Sequence, residues 1–129
     1  METIEIRTTS QTELVDITDR VQDVVKKLKT SDGICYVYVP HTTAGVTINE
    51  NADPSVKGDI IMALDTVIAT EFPYRHGEGN SPAHIKASLV GSSTSVFVES
   101  GRLVLGTWQG IFFCEFDGPR TRRVHINCL

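Results

Sequence analysis

The sequence predicts a single α+β domain in which two main helices and one short helix accompany largely antiparallel strands. Three observations carry this assignment. Two segments repeat apolar residues at helical spacing between recognisable end signals, much of the remaining chain alternates or is β-branched, and the last third is a run of β-rich segments joined by short turns. With 129 residues and no repeat, low-complexity tract or linker, residues 1–129 are assigned to one domain, long enough to close a core without disulfides or metal.

Residues 2–8 alternate polar and apolar side chains, and residues 12–17 are rich in β-branched ones, so both read as strands with a hairpin at Thr9-Ser10-Gln11. Thr18-Asp19 supplies an N-cap, Val21, Val24, Val25 and Leu28 recur at helical spacing, and Lys26, Lys27, Lys29 and then Gly33 mark the helix end. Residues 33–40 form an apolar strand stopped by Pro40, and residues 45–50 resume the alternation after His41-Thr42-Thr43. Asp53-Pro54 opens a longer helix whose stripe of Val56, Ile60, Ile61, Leu64, Val67 and Ile68 carries it to about Thr70. Residues 72–81 contain Pro73, Gly77, Gly79 and Asn80 and make the longest loop. Ser81-Pro82 reads as cap plus first-turn proline for a short helix over residues 84–89, closed by Gly91. Strands follow at residues 94–99, 102–106, 111–117 and 121–128, and the short turns between them imply consecutive antiparallel neighbours.

Composition narrows the function. A net charge of −4 gives no general attraction to nucleic acid or anionic lipid, so any phosphate recognition has to be local. No run approaches the ~20 apolar residues of a membrane span, and residues 1–7 lack the features of a secretory signal, which points to a cytoplasmic location. Three cysteines without a C-x-x-C pair argue against a disulfide framework and for a reducing compartment; Cys35 and Cys114 read as small core hydrophobes.

All four histidines fall outside the apolar positions. Imidazole suits proton transfer near neutral pH and is the commonest nitrogen ligand for zinc, so His41, His76 and His84 are candidate metal ligands, and His41 and His84 candidate catalytic groups. The spacing of His76 and His84 matches no fixed metal signature, and loop hydrogen bonding explains any one of them equally well. Gly79 and Asn80 directly precede a helix N-terminus, with Lys86 one turn further on, so a phosphate would meet backbone donors and positive charge there; a glycine loop with solvated cations is the plainer alternative. Thr42 and Thr43 offer hydroxyls that either bind phosphate or cap a turn. Glu50 follows a strand close to Asn49 and Asn51, and strand alternation puts Glu115 on the face of Phe113, so each is a candidate acid or base, and Glu115 equally a partner of a cation; an exposed edge charge is the competing reading of Glu115. Trp108 at a turn can stack a planar ligand, although a lone tryptophan is more often packing. Within Arg120, Arg122 and Arg123, alternation separates the last two, and Arg120 is assigned to phosphate.

The segments His41-Thr42-Thr43-Ala44-Gly45 with Asn49-Glu50-Asn51, His76-Gly77-Glu78-Gly79-Asn80 through His84, and Gly106-Thr107-Trp108-Gln109-Gly110 through Asp117-Gly118-Pro119-Arg120 occur in order over nearly the whole chain. In them the sequence resembles the YjbQ-type family, also described as secondary thiamine-phosphate synthases. The resemblance implies a curved, largely antiparallel sheet, a homotrimer, and a weak ability to join hydroxymethylpyrimidine diphosphate to a thiazole phosphate with release of diphosphate. It also implies a polar site at His41, His76 and His84 with a bound divalent metal, zinc or magnesium; no organic cofactor is expected.

Three functions therefore stand at this level. The first is a thiamine-phosphate synthase-like transferase; the second is a metal-dependent hydrolase of a phosphorylated metabolite; the third is a non-catalytic module that binds such a metabolite. In each the partner is a small phosphorylated molecule.

Overall fold

Eight strands divide over two sheets, and every pairing is antiparallel. The computed structural model describes residues 1–129. In chain order the elements are β1 (Glu2–Arg7), β2 (Glu13–Asp16), α1 (Thr18–Lys27), β3 (Gly33–Tyr38), β4 (Ala44–Glu50), α2 (Pro54–Val67), α3 (Ser81–Val90), β5 (Ser93–Glu99), β6 (Arg102–Leu103), β7 (Gln109–Glu115) and β8 (Thr121–Cys128). One sheet has the order β1-β8-β3-β5-β6 and curls into a half-barrel; the other has the order β2-β7-β4. No helix is long and apolar enough to cross a membrane.

The main core lies between the sheets. Ile6, Cys35, Val37, Val96, Val98, Val124 and Ile126 reach in from the larger sheet, and Val46, Ile111 and Phe113 from the smaller one. α1 closes this core through Val21, Val24 and Val25, the residues whose helical spacing identifies it. Because successive strand residues face opposite sides, β7 sends Phe113 into the main core while Phe112 and Cys114, followed by Phe116, enter a second cluster with Ala83 and Ala87 of α3. Burial on both faces makes β7 the structural spine: truncating Phe113 to alanine would cost about 3–5 kcal/mol.

The α+β class and antiparallel pairing agree with the sequence, but the strand connections differ from expectation. β1 and β2 do not form a hairpin, because β1 pairs with β8 and β2 with β7. The last strands are likewise not all neighbours: β5 pairs with a two-residue β6, whereas β7 and β8 enter different sheets. Two helix ends also shift. Asp16, not Thr18, supplies the side chain at the start of α1, accepting from Thr18 N (2.9 Å), and α3 already begins at Ser81. The stripe of α2 is only half-buried, with Ile60, Ile61 and Leu64 against the second cluster and no residue wholly buried.

β4 and α3 approach closely because Gly45 lacks a side chain; a Cβ there would stand 3.2 Å from Val90 Cγ1. That contact seats the end of α3 against β4, and further back along the helix His84 and Ala87 face His41 and Thr42 of the segment joining β3 to β4 across a shared hollow.

Candidate functional site

His41, His76 and His84 line one hollow of about 410 Å³ together with Pro40, Thr42, Thr43, Glu78, Asn80, Asp117, Arg120 and Arg122, and none of these is hydrophobic in side-chain chemistry apart from the proline ring. Its walls come from distant parts of the chain. Pro40 follows β3 and turns the chain away, exposing His41 and Thr42 before β4 begins; the loop before α3 brings His76, Glu78 and Asn80; the β7–β8 connection brings Asp117 and Arg120. The rings of His76 and His84 meet edge to face with centroids 5.2 Å apart.

His41 is fixed by a backbone group. The amide of Arg123 donates to its Nε2 (2.9 Å), so that nitrogen must carry a lone pair, and the proton of the neutral ring sits on Nδ1. Burial first, and then the positive charge of Arg122, push the His41 pKa below its ordinary value of 6.5, and the ring is neutral at pH 7.

Under the hollow lies an ion pair. Alternation along β8 turns Arg122 inward with Val124 and Ile126, and it is buried, as is Glu115 of β7. Arg122 Nε donates to Glu115 Oε1 (2.9 Å) and Oε2 (3.1 Å), and Nη2 donates to Thr43 Oγ1 (2.8 Å). Glu115 also accepts from Thr8 Oγ1 (2.8 Å) and from the amides of Phe116 and Asp117 (both 3.1 Å). Burial alone would raise the Glu115 pKa; the hydrogen bonds from Arg122, Thr8 and the Asp117 amide, with the charge of Arg122, outweigh it and hold the carboxyl below its ordinary value. Gly118 permits this packing, since a Cβ there would lie 2.9 Å from Glu115 Cγ and 2.8 Å from Thr8 Oγ1.

These contacts correct several expectations. Of the readings of Glu115, the partner of a cation holds rather than the acid or base: its buried carboxylate is fully engaged and anchors Arg122. Arg122, absent from the expected site, is the group it positions; Nη1 makes none of the bonds above, and the residue lines the hollow. Its inward phase with Val124 and Ile126 is the sequence signal that marks it. Arg120 is present as expected, held by Asp117 through Nε to the carbonyl (2.9 Å) and Nη2 to Oδ2 (3.1 Å). Thr42 also lines the hollow, whereas the Thr43 hydroxyl is engaged by Arg122.

Glu50 and Trp108 are elsewhere. β4 pairs Ala44 with Glu115 at the near end and Glu50 with Gln109 at the far end, and six strand steps put about 20 Å between those ends. Trp108 is exposed beside that far end. Lys86 is buried and ion-paired with Asp65 of α2; with Gly79 it lines an adjoining cleft rather than the histidine hollow.

The three imidazoles do not make a metal-ligand set within the chain. No group of three His, Cys, Asp or Glu side chains is arranged to hold an ion, His41 Nε2 is engaged by Arg123 N–H, and the Glu78 carboxylate is 4.0 Å from His76 Nε2. His76 and His84 remain as a pair of imidazoles without a third donor.

Comparison with known proteins agrees with this architecture. The family model described as UPF0047 protein YjbQ-like matches residues 2–129. The UPF0047 protein MJ1081 of Methanocaldococcus jannaschii is 54% identical over 125 residues, covering 97% of this chain and 91% of its own. The UPF0047 protein YugU of Bacillus subtilis is 52% identical over 130 residues, covering 100% and 98%. A Clostridium acetobutylicum crystal structure of the yjbq/upf0047 family superposes with a TM-score of 0.98 at 50% identity, covering 100% of both chains. A Sulfolobus solfataricus structure, described as a YbjQ-like protein of unknown function, gives 0.94 at 35% identity, covering 98% of this chain and 94% of its own. These descriptions overturn the expectation of thiamine-phosphate synthesis: they assign relatives of such similarity no activity, and one states that its function is unknown. By the family model, by relatives at more than half identity and by the fold, the chain belongs to the UPF0047 YjbQ-like family.

Proposed function

We propose that the hollow binds the phosphate group of a small metabolite and that the protein acts as a metabolite-binding module. The observation that supports this reading best is Arg122, a guanidinium held rigidly beneath a wholly polar hollow by a buried carboxylate. Such a group loses little freedom when it meets an anion, and with Nε and Nη2 engaged by Glu115 and Thr43 it is Nη1 that is left to donate to a phosphate oxygen. Arg120, the Thr42 hydroxyl and the imidazoles supply further donors from the surrounding walls.

Calorimetry with methyl phosphate tests the reading. Saturable binding is expected, weakened about tenfold or more by Arg120→Gln, because a hydrogen bond to a charged group contributes about 1.5–3 kcal/mol. Heats indistinguishable from dilution, or equal affinity in Arg120→Gln and His84→Ala, would remove the hollow as a phosphate site.

The edge-to-face pair of His76 and His84 favours a second reading, hydrolysis of a phosphate ester with one imidazole moving a proton. Release of phosphate from a panel of esters, with and without chelator, separates turnover from binding. The setting we propose is cytoplasmic and the assembly a homotrimer. The open face of the larger sheet supports association, with Tyr36, Tyr38 and Phe97 exposed on β3 and β5. Light scattering in solution checks it, a monomeric mass being the contrary result.

A further inference from the structure

The hollow continues past Asn80. This side chain, with Glu78 and Asp117, also lines a second cleft of about 450 Å³, whose other wall carries Asp65 and Lys86. Asn80 stands at the N-cap of α3, where an asparagine oxygen ordinarily accepts from the first helical turn, yet it makes no such bond. Its Nδ2 donates instead to Asp117 Oδ2 (2.9 Å). Its Oδ1 is the only buried side-chain oxygen or nitrogen in the chain without a hydrogen-bond partner.

The orientation of the amide is set by its neighbour. Exchanging oxygen and nitrogen would place Oδ1 against the carboxylate oxygen of Asp117, two acceptors face to face, so the unsatisfied atom is an acceptor. A buried acceptor left open is a costly feature that a complementary donor relieves. The surroundings specify the donor further. Lys86, the cation of this cleft, is already neutralised by Asp65, and Asp117 by Arg120, so the exposed carboxylate of Glu78 is the charge left over on the lining beside Asn80. An acceptor-rich cleft with its cation paired favours a positively charged N–H donor and disfavours a second anion.

We propose that the ligand is bipartite: its phosphate occupies the hollow of His41, His84 and Arg122, and an ammonium group on the same molecule donates to Asn80 Oδ1 in the adjoining cleft. The ligand class is thus an amine-bearing phosphate monoester. This deepens the phosphate-binding reading and rests on it.

The test compares ω-aminoalkyl phosphates of two to six carbons with alkyl phosphates of the same lengths by calorimetry, in the native sequence and in Asn80→Leu. At one chain length the amine should bind about tenfold or more tightly than its alkyl counterpart. In Asn80→Leu that ratio should collapse to near unity. Alkyl phosphates that bind while no amine is preferred at any length would overturn the bipartite ligand and leave the phosphate site standing. Failure of both series would overturn the two together. A preference that survives in Asn80→Leu would overturn the role of Asn80. Should that variant not fold, Asn80→Ser, which shortens the side chain and withdraws the acceptor, gives the same comparison.

Discussion

Replacing Arg122 by methionine isolates the interaction on which the site is built. The substitution keeps an unbranched, apolar stem but leaves the Glu115 carboxylate, fully buried, without its cation and without the three hydrogen bonds that Nε and Nη2 give it. Breaking a buried ion pair on one side costs about 3–5 kcal/mol, a large part of the roughly 5–15 kcal/mol that holds a domain folded. At about 4 °C per kcal/mol for a chain of this size, the midpoint should fall by roughly 12–20 °C. The double variant Arg122→Met with Glu115→Gln should recover part of the loss, because the amide oxygen still accepts from Thr8 and no charge remains buried. The pH dependence gives an independent check. In the native protein the Glu115 pKa lies below its ordinary 4.5, so its contribution is complete above that value and is lost as pH falls through the folded value. In Arg122→Met the unpaired carboxyl gains by protonation, so the two stability curves should converge toward acid pH. Urea unfolding from pH 3 to 7 measures both effects. A loss below 1 kcal/mol at neutral pH, or a gap that widens in acid, would refute the argument.

Three other outcomes follow from the same contacts. Because the His41 pKa is lowered, the unfolded chain takes up a proton first as pH falls past 6.5, and the stability contribution of neutral His41 should decline there and level off below the folded value; His41→Gln should flatten that slope, and an unchanged slope would count against it. Burial pushes the thiols of Cys35 and Cys114 up to about 12, with Cys128 adding to the effect at Cys35, whereas Cys128 itself is only half-buried. Iodoacetamide at neutral pH should therefore label the native protein at Cys128 alone, and mass spectrometry showing equal labelling of Cys35 would contradict the packing. Gly58→Ala, at an α2 position with nothing within 4 Å of the new methyl, should stabilise by about 1 kcal/mol, while Gly118→Ala, which crowds Glu115 and Thr8, should destabilise by about 1–3 kcal/mol; thermal melts that reverse this order would be decisive against it.

Local elements were legible because they rest on local rules. The spacing of Val21, Val24 and Val25 places α1 on the core, and Asp53-Pro54 starts α2 as expected, with Asp53 accepting from Ser55 N. Strand pairing was not legible, since β1 finds its partner at the opposite end of the chain, and proximity in sequence suggested a hairpin instead. The same difficulty misplaced Glu50 and Trp108: their nearness to site motifs in sequence says nothing about which end of the β4–β7 ladder they occupy. His41, His76 and His84 line one hollow, but their exclusion from apolar positions does not single them out, since His125 shares it and lies outside that hollow. The Arg123 amide that engages His41 Nε2 is a tertiary contact without a local signature. Arg122 could have been found, since inward phase on a core strand demands a buried counter-charge, and Glu115 meets that demand from β7. Asp65 gave no comparable sign; only the packing of α3 beside α2 reveals it as the partner of Lys86.

The most direct test of the account is to follow backbone amide and imidazole resonances while methyl phosphate is added at constant pH and ionic strength. Saturable shifts should concentrate on Thr42, His76, His84, Arg120 and the Arg122 guanidinium, which line the hollow. Shifts that scatter over the surface, or gather at the Glu50 and Trp108 end of the smaller sheet, would contradict a phosphate site at the histidine hollow.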